Sequence, residues 1–272
     1  MTGNQADYAD RRARLVASLA TCERVAVAFS GGVDSSVLLH AAHEALGPAA
    51  IAVVADSPSL PRLELEDARR VAREIGSELV EIRTDELDDP RYLANGADRC
   101  YFCKHALFDA MAIVARQRGI SYLAFGKISD DVLDVRPGER AAREFGVLAP
   151  LFDAGFSKTD VRRYARSAGI SVAEKPASAC LASRIPKGTS VSRARLATVE
   201  AAEQSLRELG LRELRVRHRG AQARLEVGAR EWASALARRD LWTEVLRRHG
   251  FESTEMARYR APGEPLSEKQ LP

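Results

Sequence analysis

An amphipathic stretch, a glycine, then a short apolar run: this unit recurs along the chain and constrains its fold more than any other feature. It appears around Gly47 (then Ile51 to Val54), Gly76 (then Leu79 to Ile82) and Gly119 (then Tyr122 to Phe125), and again around Gly169, Gly210 and Gly250. Glycine suits the left-handed position that stops a helix. The apolar runs are short and rich in β-branched residues, as in strands buried on both faces. In residues 62–75, Leu65, Ala68, Val71, Ala72 and Ile75 share one helical face and Glu and Arg fill the other. Alternating β and α units predict a doubly wound α/β domain with a parallel sheet and helices on both faces.

The expected strands are 24–29, 50–55, 78–82 and 121–126, with a fifth near 170–173. The stretch 174–190 breaks the pattern with Pro176, Pro186 and Gly188 and reads as a loop. A long helix over 191–209 follows, then strands over 213–217 and 223–227 turning at Gly220. A helical stretch over 230–249 and a last strand over 251–259 complete a smaller α+β domain. The expected division is 1–173, a loop 174–190, and 191–272. The tail from Ala261 holds three Pro and is expected to fray.

The most informative segment runs from Arg24 to Ser36. An apolar strand enters Ser30-Gly31-Gly32-Val33-Asp34-Ser35-Ser36, and a helix over 37–46 follows. Two glycines let the backbone turn tightly and approach a ligand. The helix start offers unpaired N–H groups and the positive end of its dipole, and three hydroxyls add donors. This is an anion site at the carboxyl edge of a parallel sheet, where open α/β folds place ligands. It lacks the Gly-Lys-[Ser/Thr] of a Walker loop and the spacing of a dinucleotide loop.

Composition sets limits. With 46% hydrophobic and 29% charged residues, the 272-residue chain is expected to be globular. No apolar run reaches membrane-spanning length and residues 1–10 are polar, so a cytoplasmic protein is expected. A net charge of +3 is close to balance, and aromatics are only 6%, with no stacking platform, so a nucleic-acid partner is not expected. Four cysteines in such a chain are not expected to form structural disulfides. Cys22, in an apolar setting, reads as structural. Cys100-Tyr-Phe-Cys103 alone is open between zinc, redox and iron–sulfur chemistry, with His105 or Cys22 available to complete a zinc set. With Cys180, three thiolates suit a [4Fe–4S] cluster with one open iron. Cys180 stands in an irregular loop flanked by Lys175, Arg184 and Lys187, a setting expected to favour the thiolate.

The loop at residues 30–36 resembles the SGGxDS pyrophosphate loop of the PP-loop ATP pyrophosphatases, which split ATP between the α- and β-phosphates to adenylate an oxygen. Further motifs narrow the resemblance: Ala55-Asp-Ser-Pro-Ser-Leu-Pro61, Arg99-Cys-Tyr-Phe-Cys-Lys104, Asp134-Val-Arg-Pro-Gly138, Glu144-Phe-Gly-Val147 and Cys180-Leu-Ala-Ser-Arg-Ile-Pro186. Together, over residues 10–260, they resemble the LarE family of ATP-dependent sulfur transferases in nickel-pincer nucleotide biosynthesis. The resemblance implies a substrate, pyridinium-3,5-biscarboxylic acid mononucleotide, whose carboxylates are adenylated and become thiocarboxylates.

It also implies roles. Ser30, Gly31, Gly32, Val33, Asp34, Ser35, Ser36, Asp56 and Gly126 would hold ATP and pyrophosphate, with Asp34 orienting Mg2+. Cys180, Asp34, Ser183 and Arg184 would be catalytic. Arg215 and Arg217, on one face of a strand, would grip the substrate phosphate. Glu203 and Glu226 match acids that bind a metal near the sulfur donor. Members carry either one sacrificial cysteine or three; Cys100, Cys103 and Cys180 imply the cluster type, fed by sulfide or another sulfur donor. A homo-hexamer is implied as well. Lys127 and Ile128 depart from the small polar pair expected after Gly126. A tRNA thiolase with the same cluster, an amide-forming ligase and a non-catalytic nucleotide-binding module are the competing readings.

Overall fold

The structure, a computed structural model, describes residues 3–133 and 137–259. Asp134, Val135 and Arg136 of the fourth motif and the tail from Ala261 lie outside the described residues. The chain divides into two compact units, Met1–Ala179 and Cys180–Pro272, a division that falls inside the 174–190 stretch. Among the described residues no helix is long and apolar enough to cross a membrane.

The first unit runs α1 (Gly3–Ala20), β1 (Val25–Ala28), α2 (Val33–Leu46), β2 (Ala50–Ala55), α3 (Arg62–Ile75) and β3 (Leu79–Ile82). It continues through α4 (Pro90–Leu93), α5 (Arg99–Arg118), β4 (Tyr122–Phe125), α6 (Pro137–Glu144), α7 (Pro150–Asp153) and α8 (Lys158–Ser167). Its sheet is parallel, in the order β3-β2-β1-β4. Strand side chains alternate, and the alternation divides the core in two. Val25, Val27, Ala52 and Val54 pack with Leu15, Leu19, Leu38, Val71 and Tyr164 on one face. Ala26, Ile51 and Val53 pack with Phe108, Met111, Ala115 and Ala141 on the other. The sheet is therefore buried on both faces, as its apolar strands require.

The fifth strand expected near 170–173 does not form. Residues 171–174 turn instead, with Ile170 and Val172 buried in the core. The ladder beside β4 is already met by Leu148, which bridges Ala124 in parallel, donates to the Leu123 carbonyl and accepts from Phe125. Two helices also begin earlier than their apolar periodicity suggests, which predicts helices over 37–46 and 104–118. α2 starts at Val33, directly on the glycine loop, and α5 at Arg99, which puts Cys100 and Cys103 inside its first turns.

The second unit begins with a single 3-10 turn, Leu181–Arg184, followed by α9 (Arg193–Glu208), β5 (Leu214–Arg219) and β6 (Gln222–Val227). α10 (Trp232–Ala237), α11 (Arg239–Arg248) and β7 (Ser253–Arg258) complete it. β5 and β6 are antiparallel and β6 and β7 parallel, a small mixed sheet. Leu206, Leu214, Val216, Leu225, Trp242 and Leu246 fill its core. The helical stretch expected over 230–249 is two helices, because Arg238 leaves helical geometry at φ −111 and ψ 24.

Candidate functional site

The anion cradle forms where β1 runs into α2. Gly31 turns the chain at φ +67, and a Cβ there would lie 2.8 Å from the backbone nitrogen of Ala68 on α3. Only glycine permits that conformation and that approach. Gly32 is the N-cap, extended at φ −82, and makes no side-chain cap bond. The first-turn N–H groups of Val33 and Asp34 thus face a ligand position without a capping side chain. The serines brace the turn. Ser35 and Ser36 donate to the Gly32 carbonyl at 3.1 and 2.8 Å, and the Ser30 and Ser35 hydroxyls lie 3.2 Å apart. Gly126 closes the far side: a Cβ there would lie 2.9 Å from the Ser35 nitrogen.

A residue that sequence reasoning missed stands in this cradle. Lys158, the first residue of α8, places Nζ 2.8 Å from both Asp34 oxygens, and its backbone N–H donates to Asp130 at 2.7 Å. The local signal was present. Ser157 and Asp160 form a capping box, which fixes where α8 begins and hence where a lysine at its first position points. Asp56 is held by Arg62 at 2.5 Å. The departing residues take structural roles. Lys127 pairs with Glu139 at 2.8 Å and lies over the Phe152 ring, and Ile128 is buried in the core.

The second unit assembles the other predicted residues. The Cys180 carbonyl accepts from the Ser183 N–H at 2.9 Å and from Arg184 Nη1 at 3.1 Å. Arg184 and Glu203 form an ion pair at 3.0 Å, each side chain only 1% exposed. Glu203 receives four donors: Nε and Nη2 of Arg184, Nη2 of Arg207, and the Val216 N–H. Four donors occupy the lone-pair positions of one carboxylate. Burial pushes the Glu203 carboxyl up, but Arg184, the Val216 N–H and Arg207 outweigh it and hold the group below its ordinary range. Glu203 is therefore placed as the anchor of Arg184, and a metal ion would have to displace these donors.

Arg215 and Arg217 do share one face of β5. Arg217 pairs with Glu226 at 2.8 Å and donates to the Ser183 carbonyl at 2.9 Å, tying the Cys180 turn to the sheet. Arg215 differs. It lies over the Tyr259 ring, donates to the Leu214 carbonyl, and has no carboxylate partner among the described residues. Burial, reinforced by the nearby Arg184, pulls its pKa below the ordinary guanidinium value. A half-buried guanidinium with no carboxylate at salt-bridge distance is suited to an incoming anion.

Among the four cysteines none is in a disulfide. Cys22 is buried, Cys100 exposed, and Cys103 and Cys180 intermediate. Burial pushes the Cys22 thiol up, away from reactivity. Among the described residues no three or more His, Cys, Asp or Glu side chains gather as a metal site.

A Gly-rich phosphate cradle on a parallel α/β sheet defines the class: a nucleotide-binding protein of the PP-loop type, carrying a second unit with a thiol and an arginine pair. Comparison with known proteins agrees. The asparagine synthase family matches residues 12–116. An uncharacterized protein of Synechocystis sp. is 41% identical over 205 residues, 75% of this chain and 76% of its own. The pyridinium-3,5-bisthiocarboxylic acid mononucleotide synthase of Lactiplantibacillus plantarum is 36% identical over 247 residues, 90% of each chain. The chain belongs to the family of pyridinium-3,5-bisthiocarboxylic acid mononucleotide synthases, the LarE family.

Proposed function

We propose that the chain is an ATP-dependent sulfur transferase acting on pyridinium-3,5-biscarboxylic acid mononucleotide. A substrate carboxylate oxygen attacks the α-phosphorus of ATP, the bond to the β-phosphate breaks, and pyrophosphate leaves into the cradle of Ser30 to Ser36. Sulfur then attacks the acyl carbon and AMP departs, leaving a thiocarboxylate. The N–H groups at the start of α2 stabilise the charge that gathers on the leaving phosphates. Asp34 would carry Mg2+, and Lys158, released from Asp34, would remain beside the phosphates as a counter-charge. Arg215 and Arg217 would bind the substrate phosphate and hold its carboxylates toward the Cys180 turn.

Three thiols, Cys100, Cys103 and Cys180, none in a disulfide and none fully buried, suit iron–sulfur ligation. Cys100, Cys103 and Cys180 would hold a [4Fe–4S] cluster. When bound, it would supply sulfide to the activated carboxyl. On this reading the enzyme works in the cytoplasm, as a homo-oligomer, with sulfide or another donor renewing the sulfur.

The observation that carries the proposal is Arg215, a half-buried guanidinium that makes no salt bridge among the described residues, on the same strand face as Arg217, which holds the turn that presents Cys180. The test is anaerobic turnover of the full chain with Mg-ATP and the pyridinium mononucleotide. AMP, pyrophosphate and a sulfur-substituted product are expected, and ADP as the nucleotide product overturns the assignment. Replacing both arginines by leucine should raise KM for the mononucleotide roughly 10- to 150-fold, the loss of a charge-assisted contact, with KM for ATP little changed.

A further inference from the structure

Two helices that meet at the phosphate cradle also share a buried polar clamp, which the proposed reaction leaves unused. Lys158 of α8 meets Asp34 of α2, and further along the same two helices Tyr164 meets His40. The spacing is the same on each helix, 34 to 40 and 158 to 164, so α2 and α8 run side by side in one direction. At 1.5 Å per residue the two contacts lie about 9 Å apart along the helix axes. One is at the cradle; the other is the clamp.

Tyr164 is the centre of the clamp and is 1% exposed. Its hydroxyl donates to Glu44 Oε2 at 2.9 Å and lies 3.1 Å from His40 Nδ1. The protons follow from the partners. The phenol has one proton and a carboxylate only accepts, so that proton lies on the bond to Glu44. His40 must then donate an Nδ1–H to the phenolic oxygen, which fixes its tautomer. Burial and the Glu44 carboxylate push the Tyr164 pKa above its ordinary value, and burial pulls that of His40 below its own, so both rings stay neutral. Arg12 of α1 holds Glu44 in turn, at 3.1 and 3.2 Å, and lies over the Tyr164 ring.

Packing does not need this hydroxyl. Val161 and Ala165 of α8 are fully buried in the same core, and a phenyl ring at position 164 would fill the same space. What the hydroxyl adds is direction. Were α8 to slide or turn against α2, the hydroxyl and the His40 N–H would lose their partners, a cost that a phenyl ring would not carry. The capping box of Ser157 and Asp160 fixes where α8 starts in the chain; the clamp fixes where α8 lies along α2.

We propose that Tyr164 is a positioning residue: through His40 and Glu44 it sets α8 along α2, and so holds the Lys158 ammonium at the phosphate cradle. The proposal rests on the reading of Lys158 as a counter-charge to the ATP phosphates, and adds to it the group that keeps the lysine in place.

The test is calorimetric titration of the full chain with Mg2+ and α,β-methylene-ATP, without the pyridinium mononucleotide, so that no bond is made or broken. Lys158→Met should weaken binding about tenfold or more, the loss of a charge-assisted contact. Tyr164→Phe should weaken it several-fold. His40→Ala, at a half-buried helix position, removes the Nδ1–H from the other side of the clamp and should act in the same direction. In the Lys158→Met background neither substitution should weaken binding further, since each acts through the lysine. A residue that only supports the fold would cost as much without Lys158 as with it. Equal losses in the two backgrounds therefore overturn the proposal, and so does wild-type affinity in both Tyr164→Phe and His40→Ala. Wild-type affinity in Lys158→Met would instead remove the counter-charge reading, and the positioning role with it.

Discussion

Arg184 and Glu203 are each buried to 1% exposure, and their charges persist there only because each has the other. Removing one partner from such a pair typically costs about 3–5 kcal/mol, because the remaining charge is left without compensation. Glu203→Gln should therefore lower the denaturation midpoint sharply, and should also slow sulfur transfer, since Arg184 would no longer fix the Cys180 carbonyl. The pair also has an acid signature. The Glu203 carboxyl is held below its ordinary 4.5, so between the folded value and 4.5 the unfolded chain binds more protons. Its stabilising contribution is complete above about pH 4.5 and is lost as pH falls through the folded value. Acid titration of the wild type should show this loss, and Glu203→Gln should show a shallower acid limb. A wild-type acid limb no steeper than the variant's would contradict the pairing.

At the scale of elements, period and punctuation carried most of the fold. α3 is legible over Arg62–Ile75 because its apolar residues keep one face and Gly76 ends it in the left-handed region. The starts of α2 and α5 were not legible, since a glycine loop and a cysteine pair have no apolar period to read. Arg215 and Arg217 could be placed on one face from strand alternation alone. The anchoring of Arg184 by Glu203 could not, because it joins residues far apart in the chain, and a lone carboxylate gives no sign of its partner. The phosphate loop and α3 meet backbone to backbone at Gly31. Gly31→Ala must adopt φ +67 with a Cβ 2.8 Å from the Ala68 nitrogen. A cost of about 1–3 kcal/mol is expected from the conformation alone. The loop should open and pyrophosphate release should fall steeply, whereas Gly47→Ala, at φ +57 with no atom within 4 Å, should retain turnover. Equal losses in the two variants would deny the loop–helix contact its role.

For the whole molecule, the division of labour between the two units sets the last question. The phosphate cradle, Cys100 and Cys103 belong to the first unit; Cys180, the arginine pair and Glu203 belong to the second. A sacrificial donor needs one reactive thiol, and Cys180 alone would serve: nucleophilic attack by its sulfur, then elimination across its Cα–Cβ bond, would leave dehydroalanine in the chain. Cys100 and Cys103 would then be surplus, yet they occupy the first turns of the 20-residue helix α5, where the positive end of the helix dipole suits a net-negative cluster. The cluster reading gives all three a use. Anaerobically purified protein should therefore contain iron and acid-labile sulfide. Each of Cys100→Ala, Cys103→Ala and Cys180→Ala should lose both the iron and repeated turnover, and Cys22→Ala, at a buried position outside the set, should keep them. The mass of the chain after one turnover separates the two routes. An unchanged mass with continued turnover on added sulfide is expected; an iron-free protein whose Cys180 has lost the elements of hydrogen sulfide would assign the sulfur to Cys180 itself.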